Sequence, residues 1–360
     1  MDRRDFIRMA GTASATLAVP GAVSNAFAQA APAAWKTYEV TTRVEVLKPA
    51  GVTRIWLPTP LTQDTAYLRT IGNSWQADGG TAAQSVDSQG AGIVWAEFAE
   101  GSKPVLVLTS RFATRDIALD LSKPGNAKAE DPATLARYTM ANEHMPTDGA
   151  VKELSSSIVK GAKGDQEKAR AIYEWIVENT ARDPKTRGCG TGDVKFMVEN
   201  KLYTGKCADL NALYVALARA EGLPARDVYG VRVAASALGY GSLGRGGGDI
   251  TKAQHCRAEV YLNGYGWVPV DPADVRKVIL EEGGGKAPTD PMVLAARKRL
   301  FGSWEMNWLA FNMANEVVLP KSTKGKIAFL MYPQCETAEG RLDSLDPDNF
   351  KYTMSAKEVA

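Results

Sequence analysis

Cys207, His255 and Asp271 follow one another along the chain. A thiol, an imidazole and a carboxylate are the groups needed for a nucleophile, a base and a residue that orients the base. The chain has only two histidines and four cysteines in 360 residues, so few combinations compete for these roles. Such a set would attack a carbonyl carbon through sulfur and pass through a thioester.

The elements around these residues favour that use. Leu210, Leu213, Tyr214 and Leu217 fall on one face of a helix that Gly222 and Pro224 terminate. Cys207 then stands at the first turn, where unpaired N–H groups and the helix dipole lower a thiol pKa below about 8.5 and can hold an oxyanion. Cysteine is equally at home as a small core residue. Gly205, through a tight turn, is expected to expose the side chain at the helix tip. His255, Arg257, Glu259 and Tyr261 alternate with Cys256, Ala258, Val260 and Leu262, which predicts a strand with His255 on its polar side. Asn263-Gly264-Tyr265-Gly266 supplies a turn, and Trp267 to Asp271 returns as a second strand. A three-residue loop would set Asp271 opposite His255 or diagonal to it.

Three further stretches join these: Tyr203-Thr204-Gly205-Lys206-Cys207, Gly222-Leu223-Pro224-Ala225-Arg226-Asp227-Val228-Tyr229-Gly230, and Gly266-Trp267-Val268-Pro269-Val270-Asp271-Pro272. With His255 to Leu262 they resemble the transglutaminase-like cysteine enzyme superfamily, whose core is papain-like, over roughly residues 165–277. The resemblance implies Cys207 as nucleophile, His255 as base and Asp271 as orienting carboxylate. It implies acyl transfer from an amide to water or to an amine, as an amidase, a peptidase or a protein-glutamine-type transferase acting on a peptide, protein or small amide. Tyr203 is a candidate second oxyanion donor. Where many members carry an aromatic residue two positions after the histidine, this chain has Arg257, as in a bacterial exported subgroup. Arg257 is open to two readings, recognition of a substrate carboxylate or pairing with Glu259 or another acid. The competing reading of the whole chain is a non-catalytic periplasmic binding or scaffolding module with the same fold.

Other signals are weaker. Gly239-Tyr240-Gly241-Ser242-Leu243-Gly244 has a dinucleotide-binding spacing, but Arg245-Gly246-Gly247-Gly248 follows where a helix is required. This stretch is expected to be a mobile loop, a flap over the site. No Cys-x-x-Cys or His-x-x-x-His spacing occurs, so neither metal nor cofactor is expected at Cys207, His255, Cys256 and Asp271. His144 is read as structural, Asp209 as support for the helix N-terminus, and Asp274 and Arg276 as anchors for the Asp271 turn.

The remaining chain sets the frame. Arg3-Arg4-Asp5-Phe6-Ile7-Arg8, the apolar run Met9–Val19 and Ala26-Phe27-Ala28 read as a twin-arginine signal over residues 1–30, with a periplasmic or secreted product. The run is shorter than the roughly 20 apolar residues of a membrane span. Loss of that segment's three arginines and two aspartates takes the net charge from +2 to +1, which excludes a nucleic-acid-binding field. Short alternating runs at Tyr38–Val46, Ile55–Pro58, Ile93–Trp95 and Val105–Leu108 predict a β-sandwich-like domain over 31–125, with residues 121–131 as a linker. The catalytic core is expected over 126–290. It includes a helix capped by Asp165 with Ala169, Ile172, Tyr173 and Ile176 inward. A C-terminal β-rich extension, 291–360, is expected to pack on the core, with Trp304 and Trp308 inside it and a strand at Lys326–Tyr332. The fold class is therefore α+β: a papain-like transglutaminase core behind an N-terminal β-sandwich-like domain.

Overall fold

The structure, a computed structural model, describes residues 34–359; the expected export signal lies outside them. Six strands come first: β1 (Lys36–Val46), β2 (Thr53–Pro58), β3 (Leu68–Gln76), β4 (Gly80–Val86), β5 (Gly92–Phe98) and β6 (Val105–Thr114). The short β7 (Ile117–Ala118) leads into an irregular stretch and then α1 (Pro132–Arg137), α2 (Gly149–Ile158) and α3 (Asp165–Asn179). Next are β8 (Ala181–Arg182), α4 (Val194–Glu199), β9 (Thr204–Gly205) and α5 (Cys207–Ala220). The strands β10 (Ala225–Arg232), β11 (Gln254–Leu262) and β12 (Gly266–Val270) precede α6 (Pro272–Glu281) and α7 (Pro291–Arg299). The chain closes with β13 (Ser303–Trp304), β14 (Trp308–Asn312), β15 (Gln334–Thr337), β16 (Gly340–Leu342) and β17 (Phe350–Val359).

Two layers form the sandwich, ordered β17-β1-β6-β3 and β16-β15-β2-β5-β4. Val44, Leu106 and Leu108 of one layer and Ile55, Leu57, Val94 and Ala96 of the other share a buried cluster, as the period-two alternation demands. The C-terminal segment does more than pack on the core. β17 pairs with β1 over ten residues, and β15 pairs with β2, so the last strands complete the sandwich. Only β14 joins the core's sheet, ordered β12-β11-β10-β14. The expected strand at Lys326–Tyr332 is absent as a ladder; Ile327 makes one isolated bridge, and Leu330 and Met331 are buried in extended chain. Apolar spacing there reported burial, while backbone pairing is confined to Ile327 and Ala328 against Val317 and Glu316. β3 and β4 were not legible because most of their residues are exposed or half-exposed and carry no apolar alternation.

α5 is buried along its whole length. Its Leu210, Leu213 and Leu217 share one core with Cys256, Ala258 and Val260, the even-numbered face of β11. Each such side chain contributes about 1.5–3 kcal/mol on full burial. Ala169, Ile172, Tyr173 and Ile176 of α3 belong to the same core. Gly164, at a φ of 92°, holds the position before α3, and Asp165 is the helix's first residue rather than its cap. The odd-numbered face of β11, expected to be polar, is buried too. Glu259 is covered there because Arg226 pairs with it at 2.7 Å, and paired charges are the ones that survive burial.

Candidate functional site

Cys207 is the first residue of α5, so its N–H has no intrahelical acceptor. The tip is fixed from several sides. Gly205 pairs in parallel with Arg182, and the Asp183 N–H donates to the Gly205 carbonyl at 2.9 Å. The Lys206 N–H donates to Asp209 Oδ2 at 2.9 Å. Asp209 Oδ1 accepts from the Thr191 and Gly192 amides at 2.9 and 3.1 Å, which ties the helix to the loop bearing Cys189. That loop returns a bond, from the Ala208 N–H to the Cys189 carbonyl at 2.9 Å. A Cβ at Gly205 would stand 2.3 Å from Asp209 Oδ2, and the residue's φ is outside the left-handed region. Close approach to Asp209 therefore calls for glycine here, and the Cys207 side chain is buried at the helix tip rather than exposed there as expected from a tight turn.

His255 sits at the start of β11, opposite Gly230 of β10. A Cβ at Gly230 would lie 2.2 Å from the Leu309 carbonyl and 2.5 Å from the Trp308 ring. Glycine thus lets the Trp308 indole slide beneath the strand, where its Nε1–H donates to the His255 carbonyl at 2.9 Å. The β11–β12 hairpin pairs Leu262 with Gly266 and Ala258 with Val270, leaving a three-residue loop. That register continues to place Asp271 diagonal to His255. His255 Nε2 lies 2.7 Å from Asp271 Oδ2 and 3.5 Å from Asp274 Oδ2. With Nε2–H given to these carboxylates, Nδ1 is the nitrogen left for Cys207, which lines the same cleft.

Asp271 caps α6, and its Oδ1 accepts from the Asp274 N–H at 3.1 Å and from Asn211 Nδ2 at 3.2 Å. Arg232 grips Asp274 with two bonds, at 2.6 and 2.8 Å. His255, Asp271 and Asp274 carry ligand-type atoms within 4.8 Å of one another. As a metal site the trio fits poorly: Arg232 on Asp274, and Arg257 at 3.8 Å from Asp271, already bring positive charge to these oxygens.

These surroundings set the protonation states. Hydrogen bonds from Cys189, Cys256 and His255 hold the Cys207 thiol well below its usual range, against the cost of burial. Cys189 and Cys256 are pushed up correspondingly, so they stay protonated donors. Burial and Arg232 oppose charge on His255, yet the Asp274 and Asp271 carboxylates outweigh them and hold the imidazole above its ordinary value. Burial and the neighbouring Asp274 push the Asp271 carboxyl up. Burial alone would raise Asp274 as well, but Arg232 and then His255 keep it well below the usual carboxylate range.

Cys207, His255 and Asp271 are thus brought together; Tyr203 stands apart from them, and Arg257, 3.8 Å from Asp271, meets the triad without lining the cleft. Tyr203 packs edge-on against Trp175, ring centroids 5.2 Å apart, and does not line the cleft at Cys207. Arg257 is 2 % exposed, lies over the rings of Trp308 and Trp304, and donates to the Glu305 carbonyl at 2.9 Å. Its guanidinium is behind the triad, where burial pushes its pKa down to about 10. A substrate carboxylate in the cleft is out of its reach, and Glu259 is taken by Arg226. Trp304 and Trp308 are fully buried. His144 is half-exposed, 3.9 Å from Asp193 and away from the triad. Cys335 lies in the sandwich core, and the four cysteines are unbridged.

The cleft above Cys207 and His255 has a volume of about 610 Å³. Lys206, Arg182 and Lys277 edge it near the thiol. It is also lined by the glycine-rich loop after β10, through Arg245 and Lys252, and by Lys351 and Tyr352 of the sandwich strand β17. That loop is pinned as a wall: Gly241 and Ser242 amides donate to Glu282, and Arg245 N–H donates to the Ala234 carbonyl. Sequence reasoning missed Asn211, Arg232 and Cys189. Asn211 had a signal, since position i+4 from Cys207 shares its helix face; the other two arrive from distant segments with none.

A family model described as the transglutaminase-like superfamily matches residues 152–272. An uncharacterised protein of Haemophilus influenzae is 35 % identical over 344 residues, covering 89 % of this chain and 91 % of its own. Among solved structures, a candidate cysteine protease from Cytophaga hutchinsonii superposes with a TM-score of 0.52 at 15 % identity, over 90 % of this chain and 98 % of that one. The periplasmic domain of TgpA from Pseudomonas aeruginosa superposes with a TM-score of 0.37 at 15 % identity, over 68 % of this chain and 91 % of that one.

Proposed function

Because the chain belongs to the transglutaminase-like superfamily, we propose that it is an exported cysteine enzyme that opens amide bonds through a thioester on Cys207. The observation that carries this reading is the joint placement of Cys207, His255 and Asp271, with the thiol held low and the imidazole held high. Those two directions favour thiolate and imidazolium as the resting pair.

The thiolate attacks the amide carbonyl carbon, and the carbonyl π electrons move onto oxygen. The Cys207 N–H, with no intrahelical acceptor at the positive end of α5, is the donor for that oxyanion. On collapse the C–N bond breaks, and imidazolium Nδ1–H gives its proton to the departing amine. Asp271 keeps the ring in the orientation that points Nδ1 at sulfur. Neutral His255 then takes a proton from water or from an acceptor amine, which attacks the thioester and restores the thiolate. Water yields a carboxylic acid, and an amine yields a new amide, so one site serves an amidase, a peptidase or a transferase.

Export rests on Arg3-Arg4 and Ala26-Phe27-Ala28. Among the described residues, no helix is long and apolar enough to cross a membrane. Replacing Arg3 and Arg4 with lysine is expected to leave the chain unprocessed in the cytoplasm, read by fractionation; normal processing would overturn this part.

Hydroxylamine tests the chemistry without a known acceptor, because it captures an acyl thioester as a hydroxamate. Incubation with a peptide mixture should give hydroxamates by mass spectrometry, lost in Cys207→Ala and His255→Ala. Peptides left intact by wild-type protein with a reduced, alkylatable Cys207 would favour the binding-module reading.

A further inference from the structure

From the charge lining the cleft we infer that this site takes acidic peptides: amide substrates carrying carboxylates on both sides of the bond that faces Cys207. The inference rests on the amide chemistry proposed above, which requires the anionic groups to be attached to an amide.

Arg182, Arg187, Lys206, Arg232, Arg245, Lys252, Lys277 and Lys351 line the cleft, whereas no aspartate or glutamate among the described residues does so. This is unexpected in a chain with 43 basic and 41 acidic side chains. Some of the cations have partners, but these carboxylates stand behind them. Arg232 is neutralised by Asp274, and Arg187 pairs with Asp343 at 2.5 Å. Arg182 and Lys277 share a single carboxylate, Glu281, which leaves one positive charge over. Lys206, Arg245, Lys252 and Lys351 have no carboxylate within 4.0 Å among the described residues. Lys206 donates to the Thr186 carbonyl at 2.7 Å, and Arg245 donates to the Asp249 carbonyl at 3.0 Å, so both heads are positioned by backbone; the solvent-exposed Asp249 carboxylate offsets only part of the charge of Arg245 and Lys252.

The cations with charge to spare come from two parts of the fold, and all of them line the cleft that holds the thiol. Lys206 and the Arg182–Lys277 pair stand beside Cys207, on the caps and edges of α5, β8 and α6. Arg245, Lys252 and Lys351 come from the loop before β11 and from β17. A concave wall of one sign focuses its field on what enters. A peptide lying over Cys207 would set carboxylates against both groups, and a lysine-rich peptide would meet repulsion throughout. The thiolate also gains, since nearby cations favour its charge.

Binding is measured without turnover, on the purified chain carrying Cys207→Ala. Fluorescent peptides of one length, with glutamates, alanines or lysines flanking a central glutamine, are compared by anisotropy at low salt. The glutamate peptide should bind at least about tenfold tighter than the alanine peptide, and this advantage should fade at about 1 M salt, where the Debye length is near 3 Å. Lys252→Glu with Lys351→Glu, both outside the triad, should abolish the preference; a melting curve confirms that the variant is folded. Equal affinity for the glutamate and alanine peptides would overturn the inference. So would tighter binding of inorganic polyphosphate than of the glutamate peptide, which would mark the cleft as a phosphate site. Hydroxamate formation by wild-type protein reports separately on the amide chemistry, so either idea can fail alone.

Discussion

Asn211 lies one helical turn below Cys207, and its Nδ2 donates to Asp271 Oδ1 at 3.2 Å. The helix that presents the nucleophile therefore also holds the carboxylate that orients the base. A second bond from the same nitrogen, to the Cys256 carbonyl at 2.8 Å, fixes α5 against β11. Nucleophile, base and carboxylate are thus tied into one buried unit, and a shift of any one element moves all three.

Asn211→Leu should expose this coupling. The change removes two donated bonds and leaves a buried carbonyl and carboxylate short of a donor, which costs about 1–3 kcal/mol each. A lower melting temperature is expected, together with a fall of about tenfold or more in hydroxamate formation. Asn211→Asp should be worse than Asn211→Leu, because it buries a third carboxyl beside Asp271 and Asp274. Wild-type activity in both variants would show that Asp271 is held by α6 alone.

Cys189 donates its S–H to the Gln254 carbonyl at 3.3 Å, and its loop is tied to the tip of α5 through the Ala208 N–H. It is the foremost group lowering the Cys207 thiol. Cys189→Ala should move the pH profile of Cys207 alkylation towards alkaline values, while His255 and Asp271 remain in place. An unmoved profile would assign the low thiol to His255 and the helix tip alone.

The pattern of what the sequence disclosed follows from range. Cys207 at a helix tip and the His255–Asp271 hairpin are local, and i+4 spacing, period-two alternation and a Gly-containing loop specify them. Arg257 shows the limit: alternation put it on a polar face, but Trp304 and Trp308, nearly fifty residues further on, cover that face and bury the guanidinium. Lys351 reaches the cleft only because β17 returns to pair with β1, a contact spanning almost the whole chain. No short-range signal encodes such a return.

Asp227 offers a test of stability rather than chemistry. It is 1 % exposed, and burial pushes its carboxyl up to about 7 despite the attraction of Arg219. A carboxyl near 3.9 in the unfolded chain and near 7 in the folded one binds its proton more tightly when folded. Its contribution is therefore full below about pH 4 and is lost as pH rises to about 7, at up to about 1.4 kcal/mol per pH unit. Asp227→Asn should flatten that part of the urea-midpoint profile and be the more stable form at about pH 8. Parallel profiles for the two proteins would refute the assignment.

The central claim is an activated Cys207–His255 pair, and the rate of Cys207 alkylation against pH, located by mass spectrometry on reduced protein, tests it most directly. With the thiol lowered and the imidazole raised, labelling should already be fast at about pH 6, well below an ordinary thiol's 8.5. In His255→Ala the fast acid limb should shrink, and the midpoint should rise. Slow labelling with an ordinary thiol profile in both proteins, at a Cys207 shown to be reduced and accessible, would contradict the account.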